Sequence, residues 1–78
     1  MESHIDQTLN CKDLSIEITI KELIKISEKS NLGDIIEVLG NNKNLKNNLL
    51  EWCEKSNNVI IREETLEQNV LRYLILIK

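Results

Sequence analysis

The spacing of apolar residues changes along this chain of 78 residues, and that change constrains the fold more than any other feature. Runs dense in aliphatic residues, typical of strands, alternate with segments whose apolar residues recur every three or four positions, typical of helices. We predict strands over residues 5–11, 35–39, 59–63 and 70–77, helices over residues 16–30 and 45–54, and an acidic hairpin loop over residues 64–69.

This order of elements, β-α-β-α-β-β, is typical of an α/β protein. Helical crossovers between parallel strands turn in one sense, so both helices are expected to cover the same face of the sheet. The sequence therefore predicts a two-layer sandwich with both helices on one face of a four-stranded mixed sheet. A length near half the usual domain size predicts one domain over residues 1–78, frayed over residues 1–4.

The first predicted helix begins with an alternation of Ile16, Ile18 and Ile20 that a strand could also explain. The wider window favours a helix, because one helical face collects Ile16, Ile20, Leu23, Ile24 and Ser27. Ser15 is suited to cap the start of this helix, and Gly33 can adopt the positive φ that ends one.

The charge balance argues against several classes of function. Ten basic and thirteen acidic residues leave a net charge of −3, and one Trp and one Tyr are the only aromatics. Nucleic-acid binding requires cationic side chains and stacking platforms, so we expect no direct nucleic-acid partner. The longest apolar run, residues 73–77, is too short to cross a bilayer, and the first residues do not resemble a signal peptide. We expect a cytoplasmic protein that does not contact membranes.

The two cysteines lie 42 positions apart and form no CxxC motif, which favours free thiols over a disulfide in the cytoplasm. Cys53 falls on the apolar stripe of the second helix with Leu45, Leu49 and Trp52, so we expect it in the core. Cys11 lies just before the first helix, where a thiolate would gain from the positive helix end, but a structural role is the stronger expectation. His4 has no neighbouring ligands, and we expect neither a metal nor a cofactor.

Residues 9–19, at the end of the first predicted strand and the start of the first helix, read Leu-Asn-Cys-Lys-Asp-Leu-Ser-Ile-Glu-Ile-Thr. This stretch resembles the motif Leu-Asp-x-x-Gly-Leu-x-Cys-Pro-x-Pro, which ends the first strand in the TusA/SirA-like sulfur-carrier family. The Gly33–Asp34 step, the Trp52–Cys53 pair and the string over residues 72–75 match three further landmarks. The resemblance implies the same β-α-β-α-β-β fold.

The resemblance also implies that members carry sulfur as a persulfide on the Cys of Cys-Pro-x-Pro. This chain departs from the motif at five positions. Ile16 stands at the Cys, Glu17 and Thr19 stand at the two Pro, and Asn10 and Asp13 stand at the acid and the Gly. Isoleucine has no nucleophilic atom, so a persulfide cannot form at Ile16. In the second helix, Asn48 stands at a position that is acidic in the family.

Three functions remain open at this point. The first is a non-catalytic module that binds a partner of a sulfur-transfer chain, and the second is a sulfur carrier that uses Cys11 as its persulfide thiol. The third is a drifted domain with a new ligand that the sequence does not indicate. The resemblance implies a cysteine desulfurase, a rhodanese-like protein or a DsrE-like protein as the partner. In the second case, the sulfur would serve tRNA thiolation or cofactor assembly.

The face of the sheet without helices provides a further expectation. Glu37 and Arg72 should point to water there, since charges rarely become buried unpaired. Alternation along each strand then places four aliphatic side chains on the same face, namely Ile35, Leu39, Leu74 and Leu76. Such an exposed apolar patch predicts docking of a partner or self-association.

Overall fold

A computed structural model describes residues 4–78 of the protein. The expected fraying of residues 1–4 therefore lies outside the described residues, except at His4. The helices are α1 (Ile16–Glu28) and α2 (Leu45–Ser56). The strands are β1 (Gln7–Asn10), β2 (Ile35–Gly40), β3 (Val59–Thr65) and β4 (Leu71–Leu76), and a short 3-10 turn (Glu67–Asn69) joins the last two.

The four strands form one mixed sheet in the order β1-β2-β4-β3. β1 is parallel to β2, whereas β4 is antiparallel to both of its neighbours. β2 and β3 therefore run in the same direction on either side of β4, and each helix joins two strands of the same direction. The predicted α/β architecture with a four-stranded mixed sheet is confirmed.

A single core joins both helices to one face of the sheet, as predicted. Leu23 of α1, Leu49 of α2, Val38 of β2 and Ile75 of β4 are all fully buried in one cluster. Aliphatic side chains dominate this cluster, and Tyr73 is its one fully buried aromatic residue. The second face of the sheet carries no helix and is described with the candidate site below.

The inner face of α1 differs from the prediction at one position. Ile24 is 40% exposed, whereas Thr19 is buried and Ile26 packs against the core. Successive residues advance by 100° around a helix, so Thr19, Leu23 and Ile26 share the face that meets the core, whereas Ile24 points away from it. The predicted cap is confirmed, because the Ser15 hydroxyl accepts a hydrogen bond from the Ile18 N–H.

The predicted hairpin loop over residues 64–69 is shorter in the structure. β3 continues to Thr65, because Glu64 and Thr65 pair with Arg72 and Leu71 of β4. The connection turns at Gln68 and Asn69, whose φ values are +56° and +65°. Two successive positive φ values are the requirement of the tight turn that suits twisted hairpins.

Gln68 is the less favourable of these two residues, because only Gly, Asn and Asp adopt left-handed backbone readily. We expect Gln68→Gly to raise the free energy of unfolding by about 0.5 kcal/mol, the balance of removed strain and added chain entropy. Gln7→Gly is the matched control, since Gln7 is an exposed residue of β1 outside the left-handed region, and it should lower stability. Urea denaturation measures both, and a loss in both variants would contradict the turn geometry.

Candidate functional site

The segment between β1 and α1 contains the positions that the resemblance singles out. Cys11 directly follows β1, and its N–H donates to the Leu39 carbonyl at 2.6 Å. The Asn10 side chain accepts from the Lys12 N–H at 3.2 Å, which turns the chain away from the sheet. Ile16 then begins α1. The position that the resemblance assigns to the carrier Cys is therefore the first residue of a helix.

Asp13 stands at the position that the resemblance assigns to a glycine of the family. Its φ of +65° lies in the left-handed region, which Asp tolerates better than most residues. The Asp13 N–H donates to the Asn41 side chain at 2.9 Å, and the Asn41 amide donates to the Asp13 carboxylate at 3.0 Å. This reciprocal pair ties the segment before α1 to the segment after β2.

The N-terminal end of α1 offers no nucleophile at Ile16 and carries a negative charge at Glu17. Ile16 is half-buried and packs against the core. Glu17 is exposed in the first turn of α1, where a carboxylate is stabilised by the positive end of the helix. The same charge would repel an anionic persulfide brought to this end by another protein.

The remaining motif position, Thr19, faces inward and contacts Cys11. Both residues are 2% exposed. Burial raises the pKa of the Cys11 thiol, the hydrogen bond between the Thr19 and Cys11 side chains lowers it, and the charge of Glu22 raises it, with a net rise. Cys11 is therefore protonated and covered, which makes it a weak nucleophile in this conformation.

Cys53 lies in the core, as the periodicity predicts. It is 4% exposed, and burial raises the pKa of its thiol to about 11. Asn48, at the second-helix position that is acidic in the family, donates its side-chain amide to the Asn44 carbonyl at 2.8 Å within α2. Both cysteines are free thiols.

We expect both thiols to react slowly while the protein is folded. Because alkylation requires an accessible thiolate, the rate with iodoacetamide at neutral pH should be at least about tenfold lower in the native protein than in urea. Mass spectrometry after digestion separates the two sites. Fast native labelling of Cys11, with Cys53 still protected, would show that the segment between β1 and α1 opens.

The open face of the sheet carries a row of polar side chains across all four strands. Arg72 of β4 is at its centre and binds both Glu37 of β2 and Glu64 of β3. Thr8 of β1 donates to Glu37 at 2.9 Å, and Arg62 of β3 lies 3.4 Å from Glu64. We call Thr8, Glu37, Arg72, Glu64 and Arg62 the polar row.

The polar row corrects the expectation that Glu37 and Arg72 point freely into water. Their side chains are only 16% and 12% exposed, because they pair with each other. Arg72 lowers the pKa of the Glu37 carboxyl mainly through this hydrogen bond, against a smaller opposing effect of burial. Strand alternation in the sequence could have indicated that these polar side chains share one face. Only the strand order shows that Arg72 lies between Glu37 and Glu64.

The expected exposed apolar patch is also reduced. Leu74 is 2% exposed although it lies on the open face, whereas Ile35, Leu39 and Leu76 are partly buried. Leu74 sits between Glu37 and Arg62 in the sheet register, and long charged side chains can cover a neighbour with their aliphatic parts. The face thus presents charges with aliphatic residues between them.

Neither a metal centre nor a membrane-spanning helix is found in the described part of the chain. Residues 4–78 contain no cluster of three or more His, Cys, Asp or Glu side chains that could hold a metal ion. No helix within these residues has the length and apolar character needed to cross a bilayer. His4 is exposed, and its Nε2 lies 3.2 Å from the Asp6 carboxylate.

No family model matches the sequence. No curated protein matches it either.

Proposed function

We propose that this protein is a TusA-like domain that binds a protein of a sulfur-transfer chain without carrying sulfur itself. The observation that carries the proposal is Ile16, an aliphatic residue at the first position of α1, where the family that this chain resembles has its persulfide-forming Cys. The partner is a cysteine desulfurase, a rhodanese-like protein or a DsrE-like protein.

Three further features support binding over transfer. Both thiols of the chain are buried, and the pKa of each is raised. Glu17 adds a negative charge beside Ile16, which opposes the approach of a persulfide anion. The segment before α1 is meanwhile held in a defined shape by Asp13 and Asn41. An end of α1 that is held by these hydrogen bonds and offers no nucleophile suits recognition.

Intact-mass spectrometry after incubation with a cysteine desulfurase and cysteine separates the two functions. We expect no mass increase corresponding to an added sulfur atom. An added sulfur on most of the protein, mapped to Cys11, would replace the proposal by the carrier function.

Binding to the three partner classes tests the positive half of the proposal. With each partner immobilised in its persulfide-free form, the folded protein should bind one of them saturably. Glu17→Lys should weaken that binding about tenfold, because it reverses the charge that the start of α1 presents to the partner. Glu28→Lys is the matched control, since it makes the same change at the exposed last residue of the same helix. Absence of binding to all three classes would remove the proposal.

Restoring a cysteine tests whether the end of α1 still favours a thiolate. We expect the new thiol of Ile16→Cys to be alkylated about tenfold faster than Cys11 at neutral pH, because a helix N-terminus lowers a thiol pKa. Adding Glu17→Pro should increase the rate further, since it removes the opposing charge and Pro suits the first turn. Equal alkylation rates at Cys11 and at the introduced cysteine would contradict the claim that the N-terminal end of α1 favours a thiolate.

A further inference from the structure

The outer edge of β3 is open. In the order β1-β2-β4-β3, β3 lies at one end of the sheet, and no strand of residues 4–78 pairs with its outer edge. β3 extends over seven residues, whereas β1, the strand at the opposite end, has four. An open edge presents unpaired N–H and C=O groups to which another chain can bind, and a short edge strand limits such binding. The edge of β3 is therefore the better template for an added strand.

Hydrogen bonding at the end of β3 shows which backbone groups face this edge. The Leu66 N–H donates to the Val70 carbonyl at 2.7 Å, and these two residues continue the register of β3 and β4. Hydrogen-bonded pairs alternate along an antiparallel ladder, so Glu64 also directs its N–H and C=O to β4. The N–H and C=O groups of Glu63 and Thr65 therefore point away from β4, toward the open edge.

A bulge divides the edge into two parts. The extra residue Ile61 lies between the pairs made by Ile60 and Arg62, and bulges are one of the devices that protect an edge. From Arg62 to Thr65 the register with β4 is regular. Ile61 and Val59, beside this regular segment, are 42% and 38% exposed. Residues 62–65 are thus available for pairing, with exposed aliphatic side chains next to them.

The charges of this segment are complementary to themselves when two copies run antiparallel. Arg62 and Glu64 belong to the polar row on the open face. With Glu63 on a two-fold axis, Arg62 of each copy lies opposite Glu64 of the other. An axis at Glu64 would place that carboxylate opposite itself, and an axis at Arg62 would do the same for the guanidinium. Since opposite charges across a strand pair stabilise it and like charges destabilise it, the axis at Glu63 is favoured.

Glu63 itself meets its own copy at this axis, on the side of the sheet that carries the helices. Its carboxylate lies 3.2 Å from Nζ of Lys46 in α2. Each of the two carboxylates therefore arrives with its own cation, which offsets their repulsion.

We propose that two copies of this chain associate through their β3 edges, with the two strands antiparallel and Glu63 on the two-fold axis. The Glu63 N–H of each copy donates to the Glu63 carbonyl of the other, and the two four-stranded sheets become one continuous sheet. The polar row continues across the axis, because Arg62 of one copy follows Glu64 of the other. This surface lies at the opposite end of the sheet from β1 and does not depend on sulfur chemistry.

Sedimentation equilibrium of the full chain tests the association. One strand edge buries less than the about 1,200 Å² of a standard interface, so we expect a weak dimer with a Kd of about 0.1 mM. The average mass should rise from 9.1 kDa toward twice that value between about 10 μM and about 1 mM protein. Amide chemical shifts over the same range should change at residues 61–65 and stay constant in β1, the other edge strand.

Arg62→Glu tests the charge pairing. The new carboxylate lies opposite Glu64 of the second copy, so the dimer should weaken at least about tenfold. Lys25→Glu is the matched control, since it reverses a charge in an exposed ion pair of α1, and it should leave the Kd unchanged. Arg62 and Lys25 are 48% and 61% exposed, so both variants should remain folded, which urea unfolding checks.

Disulfide trapping tests the register. Glu63→Cys places two thiols directly opposite each other, with about 5.5 Å between the Cα atoms, a distance that a disulfide spans. Thr65→Cys is the control, because its two copies lie four residues apart along the paired strands, or about 13 Å. Under mild oxidation, Glu63→Cys should form the covalent dimer much faster than Thr65→Cys. The native thiols, Cys11 and Cys53, are buried and do not compete.

Several results would overturn the proposal. A protein that stays monomeric at about 1 mM would do so, and so would dilution shifts confined to another surface or an unchanged Kd in Arg62→Glu. Cross-linking of Thr65→Cys as fast as that of Glu63→Cys would exclude the axis at Glu63.

Discussion

Arg72→Met is expected to lower the free energy of unfolding by about 3 kcal/mol, which for a domain of this size is a large part of its total stability. Arg72 is the cation shared by Glu37 and Glu64, and its side chain is 12% exposed. Methionine has nearly the same length and no charge. The substitution therefore leaves two neighbouring carboxylates without their shared cation on a half-buried surface.

Arg62→Met is the matched control on the same face of the sheet. Arg62 also pairs with Glu64, but at 3.4 Å and with 48% of its side chain exposed. An exposed pair of this kind contributes about 0–1 kcal/mol. Urea unfolding at neutral pH compares the two variants. Equal losses would show that the central position of Arg72 in the polar row has no energetic consequence.

The pH dependence of stability provides a second measure of the same arrangement. Arg72 holds the pKa of Glu37 below its ordinary value of 4.5. A lowered pKa in the folded state stabilises the protein above the ordinary value, and this contribution is lost as the pH falls through the lowered pKa. We expect wild type to lose this increment of stability below about pH 4.5 and Arg72→Met to lose less of it there. Identical pH profiles would contradict the pairing of Glu37 with Arg72.

Gly40→Ala is expected to lower the free energy of unfolding by about 2 kcal/mol. Gly40 ends β2 and is buried directly under the start of α2. A methyl group at this position would lie 2.5 Å from Cδ2 of Leu45, which is closer than carbon atoms can approach. Leu45 is 1% exposed in the core, so its side chain has little freedom to move. The cost is therefore one of overpacking at the contact between the sheet and α2.

A double-mutant cycle distinguishes overpacking from backbone strain. Leu45→Val removes the clashing atom, so Gly40→Ala should cost much less in that background than in the wild type. Gly33→Ala is the control, because no atom lies within 4 Å of its added methyl group and its cost of about 1 kcal/mol arises from the φ of +91°. Leu45→Val should leave that cost unchanged. Additive losses for Gly40→Ala and Leu45→Val would exclude the proposed contact.

The start of α1 is the place where the sequence resemblance can be compared directly with the structure. Ser15 and the repeat of Ile16, Ile20 and Leu23 are local signals, since capping and amphipathic periodicity depend on neighbours within one or two turns. They were sufficient to place Ile16 at the first residue of the helix, where the structure has it. The burial of Cys11 against Thr19 could not be predicted from these local signals, because it depends on how α1 packs on the sheet.

The sequence by itself determined the order of helices and strands, the single core and the absence of a nucleophile at Ile16, because periodicity and residue chemistry are local properties. Only the tertiary structure decided which charges meet on the open face. Glu37, Arg72 and Glu64 come from three strands that are adjacent only in the order β1-β2-β4-β3. Strand order depends on contacts between residues far apart in the chain. The apolar periodicity of a single segment carries no information about such contacts.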